Sequence, residues 1–135
     1  MNLDLTKQDL ENWAGFVKIV RINKQRIKEL QEDIKLYSSV DYKKESASKT
    51  PSDIVGNLVV NYLYRAEKLL SENQRLSEKI NNIEDKVDQI EDSNVKIALK
   101  LRYGEGLSWG DVAREINKKK EAIQMFCNRF IKKMV

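Results

Sequence analysis

From Trp13 onward apolar residues recur at alternating spacings of three and four, the period of helices that pack along a narrow seam. The first run is Trp13, Phe16, Val20, Ile27, Leu30, Ile34 and Tyr37, with Asn23 at one seam position. Thr6 is a suitable N-cap, so a helix is predicted over about residues 6–37. The second run is Val55, Val59, Tyr62, Ala66, Leu69, Leu76, Ile80, Ile83, Val87 and Ile90, with Asn73 as its polar member. It predicts a helix over 52–91, opened by Pro51 where proline is tolerated and capped by Thr50 or Ser52. Between the runs, the Ser- and Lys-rich stretch 38–51 has no periodicity and reads as a loop. Residues 1–92 therefore predict an antiparallel helical hairpin.

In an antiparallel pair, the residue numbers facing each other have a constant sum. A sum of 96 matches Trp13 with Ile83, Phe16 with Ile80, Val20 with Leu76, Ile27 with Leu69, Leu30 with Ala66, Ile34 with Tyr62 and Tyr37 with Val59. It also matches Asn23 with Asn73, so the two polar seam residues share a layer. A slip of one heptad would bury each amide against apolar neighbours at about 1–3 kcal/mol apiece. The same pattern permits hairpins exchanged between subunits, and a homo-oligomer, a dimer through the hairpin, is expected.

The periodicity changes after Asp92. Ser93 is the expected cap of a helix through Val95, Ala98, Leu99 and Arg102 to Tyr103, ended by the unusual backbone angles open to Gly104 and Gly106. Ser108 then caps another helix, Asp111 completes a capping-box pattern, and Leu107 and Val112 hold the positions of a hydrophobic staple. Asn117, which tolerates a left-handed conformation, ends that helix after Ile116. From Lys119 a second helix carries Ile123, Phe126, Cys127, Phe130 and Met134 on one face and Lys120, Gln124 and Asn128 on the other. Trp109, Ile116, Ile123 and Phe126 are expected in the core, with the small Ala113 where two helices cross. The fold expected is all-α: a long, coiled-coil-like antiparallel hairpin over 1–92, followed by a trihelical helix-turn-helix domain over 93–135.

Charge is divided unevenly between these parts. Residues 67–92 hold eight acids and four bases, a net of −4, whereas residues 117–135 hold six bases against Glu121 alone, a net of +5. A basic carboxy-terminal segment beside an acidic one is the electrostatic footprint of a nucleic-acid surface. Lys118, Lys119 and Lys120 oppose the dipole at a helix start by roughly 0.3–1 kcal/mol each, which makes them better candidates for phosphate contacts than for folding. The ordinary alternative for such a run is a solvated face. Base reading falls to Lys120, Glu121, Gln124 and Asn128, whose donors and acceptors suit guanine, cytosine and adenine edges, with Met125 as an apolar contact. Arg129 and Lys132 extend the basic surface, although cations near a helix C-terminus also serve the helix itself.

The run Leu101-Arg-Tyr-Gly-Glu-Gly-Leu-Ser-Trp-Gly-Asp-Val-Ala-Arg-Glu-Ile116 resembles a segment of RinA/ArpU-type phage transcriptional regulators, whose C-terminal part is similar to region 4 of sigma factors. The resemblance covers about residues 94–135. It departs from the family at Asn117, where glycine is usual, and at Lys119, where serine or threonine caps the second helix. It implies base contacts at Lys120, Glu121 and Gln124, and activation of phage or prophage genes, with host RNA polymerase as a further partner.

The remaining composition narrows the field. Without histidine and with Cys127 alone, the chain offers no zinc set and no internal disulfide. No phosphate-binding glycine loop, catalytic triad or Cys/His pair is present, so neither enzymatic activity nor a cofactor is expected. No signal peptide or membrane span is evident, which suggests a cytoplasmic protein in a bacterial host. The function expected is sequence-specific binding of double-stranded DNA in transcription regulation. A small terminase subunit and a coiled-coil protein-interaction module are the alternatives.

Overall fold

A computed structural model describes residues 5–39 and 51–133, apart from the side chains at 37–39 and 51–55. The chain is all-α, with no strand among the described residues. Its helices are α1 (Lys7–Ser39), α2 (Pro51–Asp88), α3 (Ser93–Leu99), α4 (Trp109–Ile116) and α5 (Lys120–Lys132), with a π-helical turn over Lys100–Gly104. No described helix is long and apolar enough to cross a membrane. The packing divides into two compact units, a middle one (Ile19–Arg75) and a terminal one that joins residues 5–18 to 76–133. The boundary expected between residues 92 and 93 is not where the packing divides: the last turns of α2 share a core with the helices that follow. The predicted loop, its capping residues Thr50 and Ser52, and Met134 lie outside the described side chains.

In the middle unit the predicted seam is the covered surface. Asn23, Leu30, Ala66 and Asn73 are buried, and Val20, Ile27, Ile34, Val59, Tyr62 and Leu69 are half-buried. Asn23 Nδ2 donates to Asn73 Oδ1 at 2.8 Å and to Glu72 Oε1 at 2.7 Å, and Asn73 Nδ2 donates to the Val20 carbonyl at 3.4 Å. Gln31 Nε2 donates to the Tyr62 hydroxyl at 3.1 Å, so pairing proceeds in opposite directions along the two helices. The partner that the seam requires is supplied within the chain. Each buried amide is satisfied because its layer contains the other, and no described buried side-chain polar atom lacks a partner.

Two helix starts in the terminal unit are closed by related caps, with both bonds of a capping box at Thr6 and the hydroxyl bond alone at Ser108, where the Asp111 carboxylate pairs with Arg114 instead. At Ser108 the hydroxyl accepts from the Asp111 amide at 3.2 Å, with Leu107 and Val112 in the core cluster. At the start of α1 the Thr6 hydroxyl accepts from the Asp9 amide at 3.1 Å, and an Asp9 carboxylate oxygen accepts from the Thr6 amide at 3.2 Å. Leu5 and Leu10 flank that capping box as a second staple, each only 1% exposed. Around them Trp13, Ile83, Val87, Ile90, Val95, Ala98, Leu99, Val112, Ile123 and Cys127 are buried. Lys86 lies 3.7 Å from Asp9, and Lys79 lies over the Phe16 ring at 5.5 Å, which keeps the antiparallel register in this unit too.

Three local expectations are corrected by the packing. α2 ends at Asp88 rather than at 91, because the chain tightens through bonds from Gln89 to Lys86 and from Ile90 to Val87 before the next cap. That cap is Asp92, not Ser93: its Oδ1 accepts from the Asn94 and Val95 amides at 3.0 and 3.3 Å, and Ser93 becomes the first helical residue. The helix begun at Ser93 is α-helical only to Leu99 and then widens into the π turn, where the Glu105 amide donates to the Lys100 carbonyl at 3.0 Å. Gly106 takes the expected positive φ, +78°, but Gly104 does not. Glycine at 104 leaves room for the Trp13 ring, which a Cβ there would crowd at 3.0–3.2 Å.

The amide pair makes the middle unit's register testable. Asn73→Leu alone is expected to lower stability by about 1–3 kcal/mol, because it takes the Asn73 acceptor from one of the two Asn23 amide N–H groups and leaves Glu72 as the partner of the other. The double variant Asn23→Leu/Asn73→Leu should regain that loss in urea unfolding. It should also loosen the register, which cysteine cross-linking between α1 and α2 would read as a second set of bridged pairs. A double variant as unstable as the single one would remove the pairing argument.

Candidate nucleic-acid interface

The candidate surface is built from α5 and the turn before it. α4 ends at Asn117, whose φ of 59° and ψ of 47° are left-handed, as its residue type allows. The Asn117 amide donates to the Arg114 carbonyl at 3.3 Å, and the Lys118 amide to the Ala113 carbonyl at 3.0 Å. This paired C-terminal motif closes α4 and reverses the chain within three residues. α3, α4 and α5 pack mutually, and the buried Val112 and Ala113 give α4 a flat apolar side at the contact. Arg102 braces the same region. Its guanidinium donates to the Leu107 carbonyl at 3.0 Å and stacks over the Trp109 ring at 5.3 Å, a role not evident in the sequence.

α5 divides its residues by face. Ile123 and Cys127 are buried, and Phe130 and Ile131 pack partly against the same core. Glu121, Gln124, Met125, Asn128, Arg129 and Lys132 line one shallow depression of about 420 Å³ along the uncovered side. All are exposed except Gln124, which is half-buried. Lys118, Lys119 and Lys120 are exposed at the start of the helix, and Lys118 turns toward a separate hollow beside Ala122 and Phe126. Of the sequence-predicted positions, six are thus brought onto one face, and the three consecutive lysines crown its N-terminal end.

Phe126 departs from expectation. Its helical spacing places it in the core, yet it is 51% exposed. The buried stripe of α5 steps from Ile123 to Cys127 and then to Phe130 and Ile131, and Phe126, about 100° around the helix from Cys127, falls at its edge. Ile131, one position outside the expected stripe, takes up core contact in its place. Trp109 and Ile116 pack partly against the core, as expected.

Lys119 stands at the N-cap of α5 with extended backbone and no side-chain hydrogen bond to the helix. The first turn of α5 is held by the bond from the Ile123 amide to the Lys119 carbonyl at 3.1 Å and by core contacts of Ile123. Cys127 is closed off from solvent, and burial pushes its thiol up to about 11, with the nearby Asp92 carboxylate adding to the shift. Such a thiol is a core residue, not a nucleophile. No protein-family model, curated protein or solved structure matches the chain.

Two outcomes follow from this local chemistry. Lys119→Ser is expected to stabilise the chain by about 1 kcal/mol in urea unfolding by capping α5; an unchanged midpoint would show that the first turn is not limited by its cap. For Cys127 the folded state retains the proton that the unfolded chain releases near pH 9. Its contribution to stability is therefore complete below about pH 9 and is lost as the pH rises toward about 11. The difference in stability between the parent chain and Cys127→Ala should shrink over that window.

Proposed function

We propose that the chain is a sequence-specific double-stranded DNA-binding regulator of transcription, with α5 as the helix that enters the major groove. The observation that carries this reading is the uncovered face of α5, where Glu121, Gln124, Met125, Asn128, Arg129 and Lys132 stand together while Ile123 and Cys127 fasten the opposite face to the core. A short left-handed turn joins α5 to α4, and the net charge of +5 over residues 117–135 favours approach to a polyanion. Lys118, Lys119 and Lys120 are assigned to phosphates, and Gln124 and Asn128 to base edges. The partial burial of Gln124 limits its rotamers, which lowers the entropy lost when it pairs with a base. Control of phage or prophage genes, by activation, rests on the resemblance of residues 101–116 alone.

The test is selection of a preferred duplex from a random pool, followed by titration at several salt concentrations. Lys120→Ala should weaken every duplex similarly and reduce the slope of log affinity against log salt by about 0.9. Gln124→Ala should cost about 1–3 kcal/mol on the selected site and little elsewhere. Recovery of no preferred site, or two variants that titrate like the parent, would overturn the assignment.

A further inference from the structure

The middle unit presents a second surface that DNA reading does not use. Because α1 and α2 pair antiparallel about the Asn23–Asn73 layer, the residues that follow each seam position lie on the same flank of the hairpin. On α1 this flank carries Arg21, Lys24, Lys28 and Lys35, all exposed. None of these four forms an ion pair among the described residues. On α2 it carries Val60, Leu63 and Leu70, which remain 67, 59 and 56% exposed. Spaced by three and seven residues, these aliphatics span about 15 Å, with the exposed Glu67 standing between Leu63 and Leu70. A basic lane thus runs beside an apolar lane, about one helix spacing apart. The other flank mixes its signs: on α1 the exposed Ile19, Ile22 and Leu36 stand among Arg26, Glu29 and Asp33, and on α2 Arg65, Lys68 and Arg75 stand with Glu72.

We infer that this flank docks an amphipathic helix of acidic character from another protein. Such a helix, laid in the groove between α1 and α2, would set an apolar stripe on Val60, Leu63 and Leu70 and a row of carboxylates on Arg21, Lys24, Lys28 and Lys35. Burial of the apolar lane supplies affinity, and the basic lane fixes orientation and rejects basic helices. Other occupants match one lane only. A duplex would satisfy the lysines but lay phosphates along the aliphatic side chains. A second copy of the chain, using the same flank about a two-fold axis, would set its basic lane against an equally basic lane or against the aliphatics. The inference is independent of the DNA reading, because it uses none of the residues of α5.

The experiment is selection of helical peptides against the full-length protein from a displayed library in which the apolar stripe is fixed and the flanking charges are random. Enriched peptides should carry a net acidic edge and lose at least tenfold in affinity against Lys24→Glu/Lys28→Glu and against Leu63→Ser. Exchanging their carboxylates for lysines should restore binding to the charge-reversed variant. These positions are exposed, so circular dichroism and the thermal midpoint should match the parent. Enrichment without charge bias, or binders indifferent to both variants, would overturn the proposal. So would sedimentation of the parent as an oligomer that Leu63→Ser dissociates, or duplex DNA that competes the selected peptides off.

Discussion

Where the indole of Trp13 lies against Gly104, segments some ninety residues apart in sequence share one core. Trp13 is 3% exposed, and burying a side chain of that size is worth on the order of 4–6 kcal/mol before entropy is counted. The contact requires the chain to come close to the ring, and two features allow it. Residue 104 has no side chain, and the π turn over Lys100–Gly104 widens the helix at this point. The geometry that follows, through the positive φ of Gly106 to the Ser108 cap, fixes where α4 begins. The position of α5 and its polar face within the terminal unit is therefore set, by way of α4, by a tryptophan on the first helix.

The middle unit is governed by a different kind of constraint. Its seam is narrow and, apart from Leu30 and Ala66, its apolar contacts are half-buried, so apolar burial alone would tolerate a slip of seven residues. The paired amides do not tolerate it. The 2.8 Å bond between them, with the 2.7 Å bond from Asn23 to Glu72 beside it, is modest in net stability, but a slipped register sets each buried amide against apolar neighbours. Polarity at a seam position thus selects one alignment among several of similar apolar content, a use of asparagine known from coiled coils.

Much of this arrangement can be read from residue order. The two helical runs, the seam residues and the Asn23–Asn73 layer follow from spacing, because a repeat sustained over many turns leaves few alternatives. The left-handed Asn117 and the Ser108 cap follow from side chains whose chemistry suits few other places. The failures occur where two local solutions compete. Asp92 and Ser93 are both good caps, and the shorter reach of a serine did not decide it. Phe126 fits a helical period within a residue, yet a rotation of about 100° moves it from core to edge. The π turn lies where the chain passes the Trp13 ring, a neighbour that no local pattern around residue 104 reveals. By contrast, the staple of Leu5 and Leu10 is legible in residue order: Leu5-Thr-Lys-Gln-Asp-Leu10 repeats the pattern of Leu107-Ser-Trp-Gly-Asp-Val112.

The narrowness of the middle seam has a consequence for motion. Between Ile19 and Arg75 the fully covered side chains with described positions are Asn23, Leu30, Ala66 and Asn73, two of them amides and one an alanine. Little surface must be wetted for this hairpin to part, whereas the terminal unit must expose a dozen interlocked apolar side chains. Backbone amides near Leu30 and Ala66 should accordingly trade their protons with solvent through brief separations of the two helices, while those near Leu99 and Val112 wait for the whole unit to unravel.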